Sequence, residues 1–196
     1  MVGDLLSGLA SGRINPDTLA KGAALLRGFA AEQASNLVAA LEPITEMARF
    51  RHMITPGGYT MSVAMTNCGQ TGWVTNRSGY RYDSQDPETG KAWPEMPAVY
   101  AALAAAAGYL DSLHQDKDER DFTAPIVSFS LGLPAVFLFG GLRRRDRAQR
   151  IYLESGDVVV WGGPARMTYH GIAPLADGYD PLTGNCRINF TLRKAL

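Results

Sequence analysis

Cysteine, histidine and net charge are all scarce in this 196-residue chain, and each shortage excludes something. Two cysteines, Cys68 and Cys186, are too few for a disulfide framework and lack the paired spacing of a structural zinc site, so a reducing cytoplasm is the expected setting. Nineteen Lys and Arg balance nineteen Asp and Glu, so no global positive field draws the chain onto nucleic acid or an acidic membrane. Any polyanion has to be held locally. No stretch approaches the roughly 20 apolar residues that span a bilayer. The N-terminus, with Asp4 ahead of any positive charge, lacks the pattern of a signal peptide. What the chain does have is 46% apolar residues, enough for one compact domain over 1–196, with nothing that demands more than a monomer. Its cations are skewed, fifteen Arg to four Lys, and Arg143, Arg144, Arg145, Arg147 and Arg150 crowd one short stretch.

Two segments carry helical signals. Ala34, Leu37, Val38, Leu41 and Ile44 recur at helical period within Ala30 to Ala48, where Pro43 should kink or split the helix. A second helix is expected from Glu95 to Gly108, with Pro97 in its first turn. Between them Met61 to Thr66 suggests a strand, followed by a long irregular segment that carries Trp73, Tyr80, Tyr82 and Trp93 among Gly, Asn, Ser and Pro, the texture of a functional surface. After Leu110 come short strands at 126–132, 135–139, 150–154, 157–161, 167–170 and 187–193, separated by Gly- and Pro-bearing turns. That spacing without intervening helices predicts a sandwich or jelly roll with flanking helices.

Histidine is limited to His52, His114 and His170. His114 and Asp116 stand two apart, so on a strand both side chains leave the same face and could reach one metal ion. His170, at the end of an expected strand just before a glycine turn, is placed as a third ligand from a distant strand would be. Two His and one carboxylate with open positions is the ligand set of non-haem Fe(II) oxygenases, with zinc as the competing metal. Farther on, Arg187, Asn189, Thr191 and Arg193 alternate with Ile188, Phe190 and Leu192. Such a strand ordinarily keeps its polar face in water. Turned inward instead, its guanidiniums could grip the carboxylate of a dicarboxylate co-substrate.

These residues, together with TPGGYTMSVAMTNCG (55–69), LHQDKDE (113–119), APIVSFSLGLPAVFLFGGL (124–142), GDVVVWGG (156–163) and YHG (169–171), resemble the AlkB-type 2-oxoglutarate- and Fe(II)-dependent nucleic-acid dealkylases. The resemblance runs from about Met53 onward and implies a double-stranded β-helix core over 110–196, with a nucleotide-recognition lid over about 53–93. It implies that His114, Asp116 and His170 hold Fe(II), that Arg187 pairs with the distal carboxylate of 2-oxoglutarate, and that Asn189 and Arg193 bind the rest of it. It further implies that Trp73 stacks on a flipped alkylated base, with Asp118 and Glu119 near the polar edge of the base. Met65 would line the pocket, while Thr55, Tyr59, Tyr80 and Tyr82 form the lid and Arg144 contacts nucleic acid. Taken alone, Trp73 and Met65 are ordinary core residues and the Arg cluster an ordinary solvated loop.

The implied reaction couples decarboxylation of 2-oxoglutarate, with O2, to hydroxylation of an N-alkyl group and release of an aldehyde. Its substrates are bases such as 1-methyladenine or 3-methylcytosine in single-stranded DNA, with RNA and double-stranded DNA as further partners. One departure stands out. The family places a strand with an Asn-x-Tyr pair just before H-x-D, whereas here Ala107 to His114 passes almost directly from helix to ligand. At about 3.3 Å per residue, Leu110 to Leu113 cannot form a strand, turn and form another. A jelly roll lacking one core strand is therefore expected, with weakened 2-oxoglutarate binding. The alternative reading is an impaired module that binds alkylated nucleic acid without turnover, and a third is a related dioxygenase acting on protein side chains.

Overall fold

The computed structural model describes residues 16–108 and 124–194, which fall into two compact units, 16–36 with 102–194 and 37–101. Strands β1 (Asp17–Ala20) and β2 (Ala23–Leu26) open the chain, then come helices α1 (Ala34–Ala39) and α2 (Leu41–Met47). Next are β3 (Arg51–Ile54), β4 (Thr60–Met65), β5 (Gly72–Asn76), β6 (Gly79–Asp83) and helix α3 (Ala98–Gly108). The remaining strands are β7 (Ile126–Gly132), β8 (Ala135–Phe139), β9 (Gln149–Leu153), β10 (Val158–Trp161), β11 (His170–Ile172) and β12 (Arg187–Leu192).

In the first unit a five-stranded antiparallel sheet runs β1-β2-β10-β7-β12, and a three-stranded sheet runs β11-β8-β9. Side chains from both sheets, including Leu25, Ile126, Phe137, Phe139, Ile151, Leu153, Val159 and Trp161, form one buried cluster. This is the two-layer packing of a jelly roll. The β-branched run Val158-Val159-Val160 is buried throughout, which a central strand covered on both faces requires. Asp157 anchors its start: its buried carboxylate accepts from Gly28 N (2.9 Å), Glu154 N (3.0 Å) and Arg27 Nη1 (2.8 Å). Beside it Gly156 sits at φ 93°, where an added Cβ would meet the backbone of Ala31 at 2.8 Å, so only glycine fits.

The second unit holds two hairpins, β3–β4 and β5–β6, around a cluster of Ala48, Met53, Val74 and Trp93, with Met61, Met65 and Trp73 packed against it.

The architecture of short late strands matches expectation, with corrections in detail. The helix expected over Ala30 to Ala48 is a 3-10 turn (Ala31–Gln33) followed by α1 and α2, broken at Ala40. The break follows from Pro43, which lacks the N–H that would bond the carbonyl of Ala39 and crowds it sterically. The segment expected to be irregular contains the regular β5–β6 hairpin, closed by Arg77-Ser78 with Ser78 N bonded to Asn76 Oδ1 at 2.9 Å. The strand expected at 167–170 begins only at His170, because residues 163–165 form a 3-10 turn and Thr168 N closes onto Ala165 O (3.0 Å). Hairpin β1–β2 was unanticipated, although the Lys21-Gly22 turn is a legible signal for it.

Candidate active site

His170 opens β11, paired opposite Phe139 of β8. Its ring sits 5.0 Å from the Trp161 ring, edge-on at 62°, and 6.0 Å from Phe137. Nδ1 lies 2.9 Å from the Thr168 carbonyl. A carbonyl can only accept, so Nδ1 is the donor and Nε2 is the ring nitrogen left for another partner. A neutral imidazole oriented by a backbone carbonyl through its other nitrogen is how proteins prepare a metal ligand. His114, Asp116, Asp118 and Glu119 lie outside the described residues, so His170 is the one expected metal ligand whose surroundings are seen.

On β12 the register sets Arg187 opposite Gly132, Asn189 opposite Ser130 and Thr191 opposite Ser128. A hydrogen-bonded row results. Arg187 Nη2 donates to Ser130 Oγ and to Asn189 Oδ1, both at 2.9 Å. Asn189 Oδ1 also accepts from Ser128 Oγ (3.0 Å), and its Nδ2 donates to Thr191 Oγ1 (2.8 Å). Phe190, on the opposite face, is buried. Arg187 is half-buried, its Nε is buried with no partner, and among the described residues no acidic side chain pairs with it. Desolvation lowers its pKa from the ordinary arginine value. A buried cation short of counter-charge is costly by itself, and an arriving carboxylate would supply what is missing. Asn189 and Thr191 are exposed at the residue level, as is Arg193. The choice between a wet and an inward polar face is therefore resolved residue by residue, with Arg187 the one that is covered.

The donor set fits the groups that the sequence suggests: an imidazole with Nε2 free for a metal, and an uncompensated guanidinium for a dicarboxylate. Ser128 and Ser130 were not singled out from sequence. Their alternation with apolar residues in β7, mirroring that of β12, is the signal that could have found them.

The five-arginine loop is tied to the histidine segment by backbone bonds, Gly140 N to Tyr169 O (2.8 Å) and Tyr169 N to Gly141 O (2.9 Å). Asp146 caps the turn through Arg143 N (3.0 Å). Arg144 and its four neighbours are exposed, and none forms an ion pair among the described residues.

In the second unit, Trp73, Thr75, Tyr80 and Tyr82 share one face of the β5–β6 hairpin, since Trp73 pairs with Tyr82 and Thr75 with Tyr80. The diagonal Trp73 and Tyr80 rings stack at 5.6 Å and 20°. Thr55 and Tyr59 close the β3–β4 turn, with Thr55 Oγ1 accepting from Tyr59 N at 3.2 Å and the Tyr59 ring exposed. Met65 packs on the hydrophobic cluster beneath Trp73.

A sequence profile of the 2OG-Fe(II) oxygenase superfamily matches residues 22–111 and 107–193. The chain belongs to that superfamily. It is 52% identical over 200 residues to the alpha-ketoglutarate-dependent dioxygenase AlkB of Escherichia coli (strain K12), covering 91% of this chain and 93% of that one. An AlkB homolog of Caulobacter vibrioides is 41% identical over 177 residues, 81% of this chain and 80% of the relative. The solved structure of OsALKBH1 superposes with a TM-score of 0.78 at 25% identity, over 92% of this chain and all of that one. As a 2OG-Fe(II) oxygenase the protein is a dioxygenase that uses Fe(II), 2-oxoglutarate and O2. The profile match divides into two stretches that share 107–111, and the segment where a missing Asn-x-Tyr strand is expected runs into residues outside those described. The E. coli alignment spans 200 positions but takes in about 178 residues of this chain, leaving about 22 positions with no residue here.

Proposed function

We propose that this oxygenase removes alkyl groups from the nitrogen atoms of nucleic-acid bases, preferring N-methyl lesions in single strands. The relatives named nucleic acid dioxygenase ALKBH1 in Mus musculus and DNA N(6)-methyladenine demethylase in Arabidopsis thaliana support a nucleic-acid substrate. The observation that carries the reading is that the jelly-roll unit holds both an oriented His170 and an Arg187 with no acidic partner among the described residues. Residues 110–196 serve as the catalytic core and residues 53–93 as the lid, within one working domain.

His114, Asp116 and His170 would hold the iron, which with 2-oxoglutarate and O2 supplies the oxidising power for the alkyl C–H bond. Arg187 takes the distal carboxylate of 2-oxoglutarate, replacing water with a fixed charge at a buried site. Asn189 holds that guanidinium in place, and with Arg193 completes the co-substrate site. Trp73, stacked with Tyr80, receives the flipped base, because any base can stack on an aromatic ring once it leaves the helix. Thr55, Tyr59 and Tyr82 line the lid, Met65 backs it, and Asp118 and Glu119 meet the polar edge of the base. Arg144 and its loop supply the local positive charge that the net charge of zero cannot. No described helix is long and apolar enough to cross a membrane, and both cysteines are free thiols, in keeping with a monomer of the cytoplasm.

The test is reconstitution with Fe(II) without oxygen, followed by air, 2-oxoglutarate and an oligonucleotide bearing 1-methyladenine. Loss of one methyl mass with matching succinate is the expected result. Absence of both signals from a folded protein would overturn the reading.

A further inference from the structure

Beneath the aromatic face of the β5–β6 hairpin lies a polar clamp that the sequence did not reveal. Arg51 Nη1 contacts Asp86 Oδ1 at 2.7 Å, with side-chain exposures of only 13% and 3%. The Arg51 guanidinium lies 5.3 Å from the centroid of the buried Trp93 ring. Trp93 Nε1 donates to Asp83 O (2.8 Å), at the end of β6. Asp86 also ties its own loop, through Lys91 O, Gly90 N and Glu88 N. The far side of Trp93 presses on Gly72, the residue before Trp73: a Cβ there would come 2.5 Å from Trp93 Cε2 and 2.7 Å from Asn67 Cβ. Asn67 in turn donates its Nδ2 to the carbonyl of Trp73 at 3.1 Å.

We propose that Asn67, Arg51 and Asp86 are positioning residues for base recognition, fixing the backbone of Trp73 so that its ring stands ready before substrate arrives. The proposal rests on the reading of Trp73 as the base platform. Stability alone is a poor reason for the pair, because a buried ion pair costs about as much in desolvation as it returns, and well-packed apolar residues serve as well. What the pair supplies is a fixed geometry. The planar guanidinium spans a carboxylate and an indole at once, and that indole sets the place of both Asp83 and Gly72. A platform already rigid in the free protein spares the ordering cost of binding.

The experiment uses the full chain loaded with Fe(II) and 2-oxoglutarate, with the 1-methyladenine oligonucleotide as probe. Variants Asn67→Ala and Asp86→Asn should raise KM for the oligonucleotide by about 3- to 10-fold, the effect of one lost hydrogen bond. Succinate formation without nucleic acid should stay unchanged. Quenching of tryptophan fluorescence on oligonucleotide binding should weaken in parallel. An unchanged KM in both variants, with a raised KM in Trp73→Ala, overturns the positioning role and leaves the platform standing. An unchanged KM in Trp73→Ala overturns the platform and this proposal with it. Equal loss of nucleic-acid-free succinate formation marks a merely structural role and also overturns the proposal. Should Asp86→Asn fail to fold, Asn67→Asp decides instead, since it keeps the shape but turns an acceptor toward the Trp73 carbonyl.

Discussion

Arg187 sits where two requirements meet, a half-buried position on β12 and no acidic partner among the described residues. Replacing it with Met should raise KM for 2-oxoglutarate by about 10- to 100-fold, since hydrogen bonds to a charged group are worth about 1.5–3 kcal/mol. Steady-state kinetics with varied co-substrate check this, and an unchanged KM would sink the assignment. His170→Ala should abolish iron binding and turnover together, measured by metal content after gel filtration. Cys68 gives a pH signature: burial pushes its thiol up to about 11, from the ordinary 9.0. The folded state thus favours the protonated thiol. Its contribution to stability is complete below pH 9 and is lost as pH rises toward 11. Urea midpoints should therefore fall more steeply over that window for the parent than for Cys68→Ala. Iodoacetamide at pH 8 should label the exposed Cys186 and spare Cys68.

Among the elements, β10 depends on what precedes it. Asp157, itself buried, accepts from two backbone N–H groups and the half-exposed Arg27, so Asp157→Ala should cost about 1–2 kcal/mol by removing the acceptor that these three donors share. Urea denaturation reads this directly, and a loss below about 0.5 kcal/mol would contradict it. The strands themselves were legible because their cues are local: Val158-Val159-Val160 is β-branched and Arg187 to Arg193 alternates. Elements 51–54, 72–76 and 79–83 were not, because each short strand gains stability only from its hairpin partner and the cluster beneath. The start of β11 was misplaced for a similar reason. Thr168 and Tyr169 instead bond their backbone N–H groups to Ala165 and Gly141, contacts that no periodicity records.

At the scale of the whole molecule the net charge is zero, and five exposed arginines cluster at 143–150. Arg144→Ala should weaken methylated and unmethylated strands alike and reduce the slope of log K against log salt by about 0.7, the value for one phosphate contact on a single strand. Titrations at several salt concentrations test it, and an unchanged slope would remove Arg144 from the interface.

The sequence by itself determined the late run of strands, through local spacing and alternation along the chain, and the superfamily, through the ordered motifs in which it resembles that family. Only the tertiary structure decided which nitrogen of His170 is free, which guanidinium of β12 is covered, and that Arg51, Asp86 and Trp93 meet beneath Trp73. Those facts depend on groups distant in sequence: Arg51 and Asp86 are 35 positions apart, and Ser130 and Arg187 are 57 apart. Their hydrogen bonds and ion pairs exist only once packing has excluded water and fixed the register.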